Sequence, residues 1–137
     1  MKKLFILIIL LTSIYSLNAQ TVLYQENFNS TVTGWSVVDG YSDGETWAIY
    51  LAGTSNLDGT DFAMVSSDMA GVGVDMDEEF ISPSLATQGY TSVTLEFDQY
   101  FEVWTGNSYT EVAEVDVWNG STWVTVLSQT TATGGWG

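Results

Sequence analysis

Hydrophobic and polar residues alternate along much of this chain, which is the pattern of β-strands that pack on one face. The clearest example is SVTLEFDQYF (92–101), in which Val93, Leu95 and Phe97 share one face. TVLYQENF (21–28) alternates in the same way, and helical periodicity is almost lacking after residue 20. The pattern therefore predicts an all-β domain. Shorter predicted strands are WSVV (35–38), TWAIYL (46–51), DFAMVSS (61–67) and EEFIS (78–82).

A β-hairpin is the strongest local prediction. VAEVDVW (112–118) and STWVTVL (121–127) flank Asn119-Gly120, the preferred pair for a two-residue type I′ turn. With that loop, Asp116 pairs with Trp123, and the hairpin has one apolar and one mixed face. The apolar face carries Ala113, Val115, Val117, Val124 and Val126. The mixed face carries Glu114, Asp116, Trp118 and Trp123.

The spacing of these strands favours one fold class. Many short strands separated by Gly-rich turns indicate a β-sandwich, and we predict a jelly roll of the galactose-binding-like kind. There is no cysteine, so disulfides do not staple the domain. The chain stops at TTATGGWG, a turn-like stretch with no strand to close the sheet. We therefore expect an incomplete fragment of a longer protein, with the C-terminal strands missing.

The first 19 residues have the features of a secretory signal peptide. Lys2 and Lys3 precede an apolar run at 4–11, and Leu17-Asn18-Ala19 ends in a small residue. We predict cleavage after Ala19, so that the jelly-roll domain occupies residues 20–137. The apolar run is too short for a membrane-spanning helix, which needs about 20 residues. The sequence therefore predicts a protein secreted or held at a bacterial cell surface, without membrane insertion.

Charge changes the picture more than any motif. All 17 Asp and Glu residues follow the signal peptide, whereas Lys2 and Lys3 are the only cations of a chain without His. Such a charge disfavours nucleic acid and anionic membranes as partners. It also makes the compact state repel itself unless cations neutralise it. Calcium, a hard cation that prefers oxygen ligands, is the predicted cofactor, and a diffuse layer of sodium ions is the alternative.

An acidic knot, defined as residues 75–79, is one candidate calcium site. It places four carboxylates directly before the predicted strand EEFIS. Asp75 and Asp77 point the same way if the segment is extended, so both are candidate metal ligands. The spacing excludes an EF-hand, because the later ligands and the glycine of that loop are missing. The alternative is an exposed turn that keeps an edge strand soluble.

The segment DGYSDGETW (39–47) is a second candidate site. Asp39, Asp43 and Glu45 alternate with Gly and Ser, which lets backbone carbonyls turn inward around a cation. Asp and Gly are also ordinary turn residues, so a plain turn is the alternative.

The mixed face of the hairpin is a candidate ligand-binding surface. Trp118 and Trp123 offer rings on which sugars stack, and Glu114 and Asp116 offer acceptors for sugar hydroxyls. The alternative is that the tryptophans pack under a partner strand. The sequence argues against catalysis by a nucleophile and a general base, because the chain beyond the signal has no His, Lys, Arg or Cys. A glycoside hydrolase with paired carboxylates remains the alternative to a non-catalytic role.

The order of several short motifs resembles a known family. ENFNS (26–30), VVDGYSDGETW (37–47), FISPSL (80–85), SVTLEFDQYF (92–101) and WVTV (123–126) follow one another as in cleaved-adhesin domains of secreted bacterial proteases of the gingipain type. They resemble MAM domains more loosely. The resemblance implies a jelly roll that binds calcium and adheres to glycans or extracellular protein surfaces, or is an ancillary domain of a secreted protease. Its acidic positions fall on Glu26, Asp39, Asp43 and Asp77.

Overall fold

The computed structural model describes residues 20–29, 31–52, 59–71, 73–103 and 111–134, so the predicted signal peptide lies outside the described residues. Within these ranges the chain forms short strands and one helical turn, which confirms an all-β chain with almost no helix. The elements are β1 (Ser36–Asp39), β2 (Ala48–Tyr50), β3 (Phe62–Met64), α1 (Ser67–Ala70), β4 (Glu78–Ile81), β5 (Ala113–Trp118) and β6 (Trp123–Gln129).

The strands pair into three two-stranded antiparallel sheets, β1 with β4, β2 with β3, and β5 with β6. The β1–β4 register runs from Ser36 opposite Ile81 to Asp39 opposite Glu78. Each of these strands overlaps a predicted one, because alternation of apolar and polar residues marks where a chain is extended and half-covered.

An aromatic cluster, defined as Tyr24, Phe28, Trp35, Trp47 and Phe80, packs beside the β1–β4 sheet. Phe80 of β4 lies at its centre, stacked on Trp35 with a centroid distance of 4.3 Å and on Trp47 at 5.5 Å. The indole N–H of Trp47 donates to the backbone carbonyl of Glu78 at 3.1 Å. No described hydrophobic side chain is fully buried, so these stacked rings supply much of the local packing.

The predicted strand at 21–28 is wrong, because local hydrogen bonds turn the chain there. The carboxylate of Glu26 accepts the backbone N–H groups of Asn27 at 3.0 Å and of Phe28 at 2.9 Å. Phe28 adopts a φ of 57°, which lies in the left-handed region that a strand does not contain. The alternation predicted that Tyr24 and Phe28 lie on one face, and in the structure both contact Trp35.

The predicted strand at 92–101 is also not formed. These residues are described but belong to no sheet, and the backbone carbonyl of Phe101 accepts the N–H of Thr133 at 2.9 Å. Alternation depends on the side chains of one strand alone, whereas a strand also needs a neighbour to accept and donate its backbone hydrogen bonds.

The hairpin forms where predicted, but its register is different. Trp118 pairs with Trp123 and Asp116 with Thr125, so residues 119–122 form the loop. The side chain of Asn119 closes this longer loop, since its Oδ1 accepts the N–H of Ser121 at 3.0 Å and of Thr122 at 3.1 Å. The predicted two-residue loop and the pairing of Asp116 with Trp123 are therefore wrong.

The faces of the hairpin largely survive this correction, because a shift of two residues keeps every side chain on its own face. The pairs Trp118–Trp123, Asp116–Thr125 and Glu114–Ser128 share one face. A β-bulge between Val115 and Asp116 changes the pairing from Leu127 to Thr125. Val126 is the extra residue of that bulge, so Leu127 takes its predicted place on the apolar face.

Candidate metal centre

The ends of β1 and β4 bring two carboxylates together. Asp39 is the last residue of β1, Glu78 is the first residue of β4, and the two are directly opposite in the antiparallel register. Like charges directly opposite each other destabilise a sheet. A fold that keeps this pairing therefore places an unfavourable charge pair at one end of its β1–β4 sheet.

The turn after β1 adds a third carboxylate. Asp39 accepts the backbone N–H of Asp43 at 3.1 Å on Oδ1 and that of Gly44 at 3.0 Å on Oδ2. The carboxylate of Asp43 accepts the N–H of Glu45 at 2.9 Å. Asp is favoured in turns because its side chain bonds nearby backbone amides in this way. These bonds turn the segment 39–45 back, so that Asp43 lies near Glu78, the first residue of β4.

Gly40 fixes how closely the turn approaches the acidic knot. Its N–H donates to the backbone carbonyl of Asp77 at 2.9 Å, which extends the β1–β4 pairing. A Cβ at position 40 would lie 2.3 Å from that carbonyl oxygen, a distance that real Cβ atoms do not adopt. Only glycine fits here, and this close contact holds Asp39 and Glu78 side by side.

Asp39, Asp43 and Glu78 form the acidic site. Each offers a carboxylate oxygen, and these oxygens all lie within 4.8 Å of one another. Asp39 and Glu78 are half-buried and Asp43 is exposed. Both carboxylate oxygens of Glu78 are shielded from solvent and have no hydrogen-bond partner. The hydroxyl oxygen of Thr46 is also shielded and unpartnered.

An unpartnered, shielded carboxylate is costly, because burial removes its water without replacing it. Two unit charges of the same sign at this separation also cost ~1 kcal/mol in a water-like medium and ~3 kcal/mol at an effective dielectric of 20. No cation of the described residues offsets either cost, because the chain beyond Lys3 has no Lys, Arg or His. A bound divalent cation would offset both.

The donor set fits calcium. Calcium takes 6–8 oxygen ligands, mostly carboxylates, backbone carbonyls and water. Asp39, Asp43 and Glu78 would supply carboxylates, while Asp39 and Asp43 are already oriented by backbone N–H groups. Metals that prefer thiolate or imidazole ligands find none, because the chain has no Cys and no His.

The other predicted metal ligands lie elsewhere. Asp75 and Asp77 are exposed, and among the described acids neither belongs to a group of three with converging oxygens. Asp77 contributes its backbone carbonyl, to Gly40. Glu78 was not among the predicted ligands, although it belongs to the acidic knot. Its position opposite Asp39 depends on the strand register, which the local sequence does not specify.

Glu26 serves the aromatic cluster. Its carboxylate accepts the Phe28 and Asn27 amides and also the phenol of Tyr24 at 3.0 Å. The hydrogen bond from Phe28 contributes most, and together these bonds lower the pKa of Glu26 against the opposing effect of desolvation. The indole of Trp35 donates to the Tyr24 oxygen at 2.8 Å, completing a chain of bonds from the cluster to Glu26.

The predicted ligand-binding residues of the hairpin lie on one face, as the register shows. Trp118 and Trp123 meet edge to face with a centroid distance of 5.5 Å and an interplanar angle of 63°. Each ring is about half exposed, at 51% and 52%. Glu114 and Asp116 are exposed further along the same face. The rings thus form an open, L-shaped apolar corner next to carboxylates.

Comparison of the chain with protein-family models, with curated proteins and with solved structures finds no match. In the described part of the chain, no helix has the length and apolar character needed to cross a membrane. The resemblance to cleaved-adhesin and MAM domains therefore stays a prediction based on the order of short motifs.

Proposed function

We propose that this chain is a secreted, non-catalytic, calcium-binding adhesion module with a jelly-roll fold. The observation that supports calcium binding is the carboxylate of Glu78, which is shielded, unpartnered and converges with Asp39 and Asp43. Exposed acidic groups are common on proteins without any bound ion. A shielded carboxylate with no donor is rare, because its desolvation is uncompensated.

Calcium would act here on stability rather than on chemistry. A ligand that binds only the folded state stabilises that state by mass action. In this chain it would also reduce the repulsion among 17 acidic side chains, which no Lys, Arg or His beyond Lys3 relieves. The site joins the end of β1 to the start of β4, so an occupied site would hold the sheet beside the aromatic cluster.

Terbium luminescence tests the metal site. Terbium substitutes for calcium in oxygen-ligand sites and emits when a nearby indole is excited. Trp47 lies beside this site, since its indole N–H bonds the Glu78 carbonyl. We expect sensitised emission that calcium displaces, with an apparent Kd of about 0.1–1 mM as in extracellular modules.

The matched variants are Glu78→Gln and Glu79→Gln, which remove the same charge from adjacent positions of β4. Glu79 is exposed and lies outside the acidic site. We expect Glu78→Gln to lose the displaceable emission and Glu79→Gln to keep it. Equal emission from both variants would contradict binding at this site.

The adhesive role rests on a different surface, the edge-to-face pair of Trp118 and Trp123. Its two half-exposed rings next to Asp116 favour glycans, whose apolar ring faces stack on aromatics while carboxylates accept their hydroxyls. Glycan-array retention tests this role with Trp118→Ala and Trp123→Ala. Val126→Ala is the control, because Val126 is the exposed bulge residue of the same strand. Unchanged retention in both tryptophan variants would rule out this surface.

A further inference from the structure

The segment 92–98 has two properties of a strand without a partner. Val93, Leu95 and Phe97 alternate along it and are exposed at 53%, 60% and 49%. Within the described residues, the backbone N–H and C=O groups of 92–98 make no hydrogen bond. A segment that has both exposed apolar side chains and unpaired backbone groups can pair with another strand.

This segment forms one wall of a groove, and the N-terminal segment 20–28 and the mixed face of the hairpin form others. The groove has a volume of about 1820 Å³ and is partly open to solvent. We call it the acidic groove, because every charged residue that lines it is a carboxylate. These carboxylates are Glu26, Asp61, Glu96, Asp98 and Asp116.

The geometry favours an extended polypeptide as the occupant. A strand that pairs with 92–98 would satisfy its free backbone groups and cover its alternating apolar side chains at the same time. Recognition by strand addition works in this way, with backbone bonds giving affinity and alternate side chains giving specificity. A small compact ligand would leave most of these groups unsatisfied.

The negative charge of the groove favours a cationic polypeptide as the partner. A second copy of this chain would bring Glu96 and Asp98 against another acidic surface, since no Lys, Arg or His follows Lys3. Like charges across strands oppose pairing, whereas Lys or Arg opposite Glu96 and Asp98 would favour it. The long-range field of the acidic chain also attracts cationic partners.

We propose that the acidic groove binds an extended, cationic segment of another protein, which adds as a β-strand along residues 92–98. The segment would alternate apolar residues, which meet Val93, Leu95 and Phe97, with Lys or Arg residues. This inference goes beyond the proposed function, because it adds a protein partner to the glycan-binding role proposed for Trp118 and Trp123, and it does not depend on the metal site.

The test is fluorescence anisotropy at saturating calcium, with a dye-labelled peptide of alternating valine and lysine long enough to pair with 92–98. The control peptides have the same composition in two blocks, or glutamate in place of lysine. We expect the alternating lysine peptide to bind at least about tenfold more tightly than either control. Its affinity falls with added salt because the contacts are partly electrostatic.

The variant for this test is the double substitution Leu95→Thr with Phe97→Thr, which introduces polar β-branched side chains that still favour a strand. We expect it to weaken peptide binding at least about tenfold, since two apolar contacts are lost. Val126→Thr is the control, because Val126 is equally exposed at 59% but lies on the hairpin outside the groove. An unchanged cooperative thermal unfolding transition shows that a variant remains folded.

Hydrogen exchange of the wild-type protein provides a second measurement. We expect the amides of 92–98 to exchange fast in the free protein and to become protected by the alternating peptide. Protection already present in the free protein would overturn the proposal, because another part of the same chain would then occupy the edge. Dimer formation in sedimentation that blocks the peptide would overturn it in favour of a second copy.

Three further outcomes would also overturn the inference. Equal binding of the alternating and block peptides would reduce it to charge attraction. Loss of peptide binding in Trp118→Ala but not in Leu95→Thr with Phe97→Thr would move the site to the tryptophan pair. If the peptide does not bind but the calcium response is normal, this inference alone is wrong. If the peptide binds normally but calcium has no effect, only the proposed metal site is wrong.

Discussion

Glu78→Gln is expected to raise stability without calcium and to abolish the response to calcium. The substitution keeps the size of the side chain and removes one charge from the acidic site. Without metal, it removes two repulsive pairs, with Asp39 and with Asp43, whose oxygens lie within 4.8 Å. With metal, it removes a ligand. The variant is therefore expected to be more stable than wild type in chelator and to lose the stabilisation by calcium.

The magnitude follows from the geometry. Asp43 is exposed, so its pair with Glu78 takes the water-like value of ~1 kcal/mol, whereas the half-buried pair of Asp39 and Glu78 takes ~1 to ~3 kcal/mol, giving a gain of about 2–4 kcal/mol in chelator. With a Kd of about 0.1 mM, about 10 mM calcium stabilises the wild type by ~2.7 kcal/mol. At about 4 °C for each kcal/mol, calcium raises the wild-type Tm by roughly 10 °C.

The assay is thermal unfolding, followed by tryptophan fluorescence, in calcium and in excess chelator. Glu79→Gln is the matched control, since it removes the same charge from an exposed position of β4. We expect the calcium-induced rise in Tm to persist in Glu79→Gln and to vanish in Glu78→Gln. If both variants gain the same stability in chelator and keep the same response to calcium, general charge screening explains the stability and the site is wrong.

Three smaller perturbations test the surrounding structure. Gly40→Ala is expected to cost about 2–3 kcal/mol in urea unfolding, because its Cβ would meet the Asp77 carbonyl, whereas Gly134→Ala has open space and no such cost. The lowered pKa of Glu26 means that its hydrogen bonds stabilise the fold above its unfolded pKa of about 4.3 and are lost as pH falls through the folded value. Glu26→Gln should therefore flatten the acid limb of stability against pH, and an unchanged limb would contradict that origin. Asn119→Ala should cost about 1–2 kcal/mol by hairpin amide exchange, since its side chain accepts the amides of the turn, and no change would mean that the backbone alone sets the turn.

The sequence predicted which segments are extended more successfully than how they pair. Alternation located β1, β4, β5 and β6, because each strand shows its covered face in its own residues. It also predicted strands at 21–28, where hydrogen bonding to Glu26 turns the chain, and at 92–101, where residues 92–98 have no backbone partner among the described residues. Asn119-Gly120 predicted the hairpin, but the reach of the Asn119 side chain favours a longer loop.

The candidate metal centre shows the same limit. Asp39 and Asp43 lie in one turn, so local sequence was enough to group them. Their partner Glu78 lies in another strand, β4, and meets Asp39 only through the pairing of β1 with β4. The acidic knot holds four carboxylates, so the sequence alone does not indicate which of them binds metal. The contact between Gly40 and Asp77 resolves it by aligning β1 with β4.

A crystal structure grown in calcium, with anomalous data, measures the proposed site itself. We expect one calcium ion with carboxylate oxygens of Asp39, Asp43 and Glu78 at about 2.3–2.6 Å. Water alone between these three side chains, with no anomalous peak and the Glu78 carboxylate turned to solvent, would contradict calcium binding here.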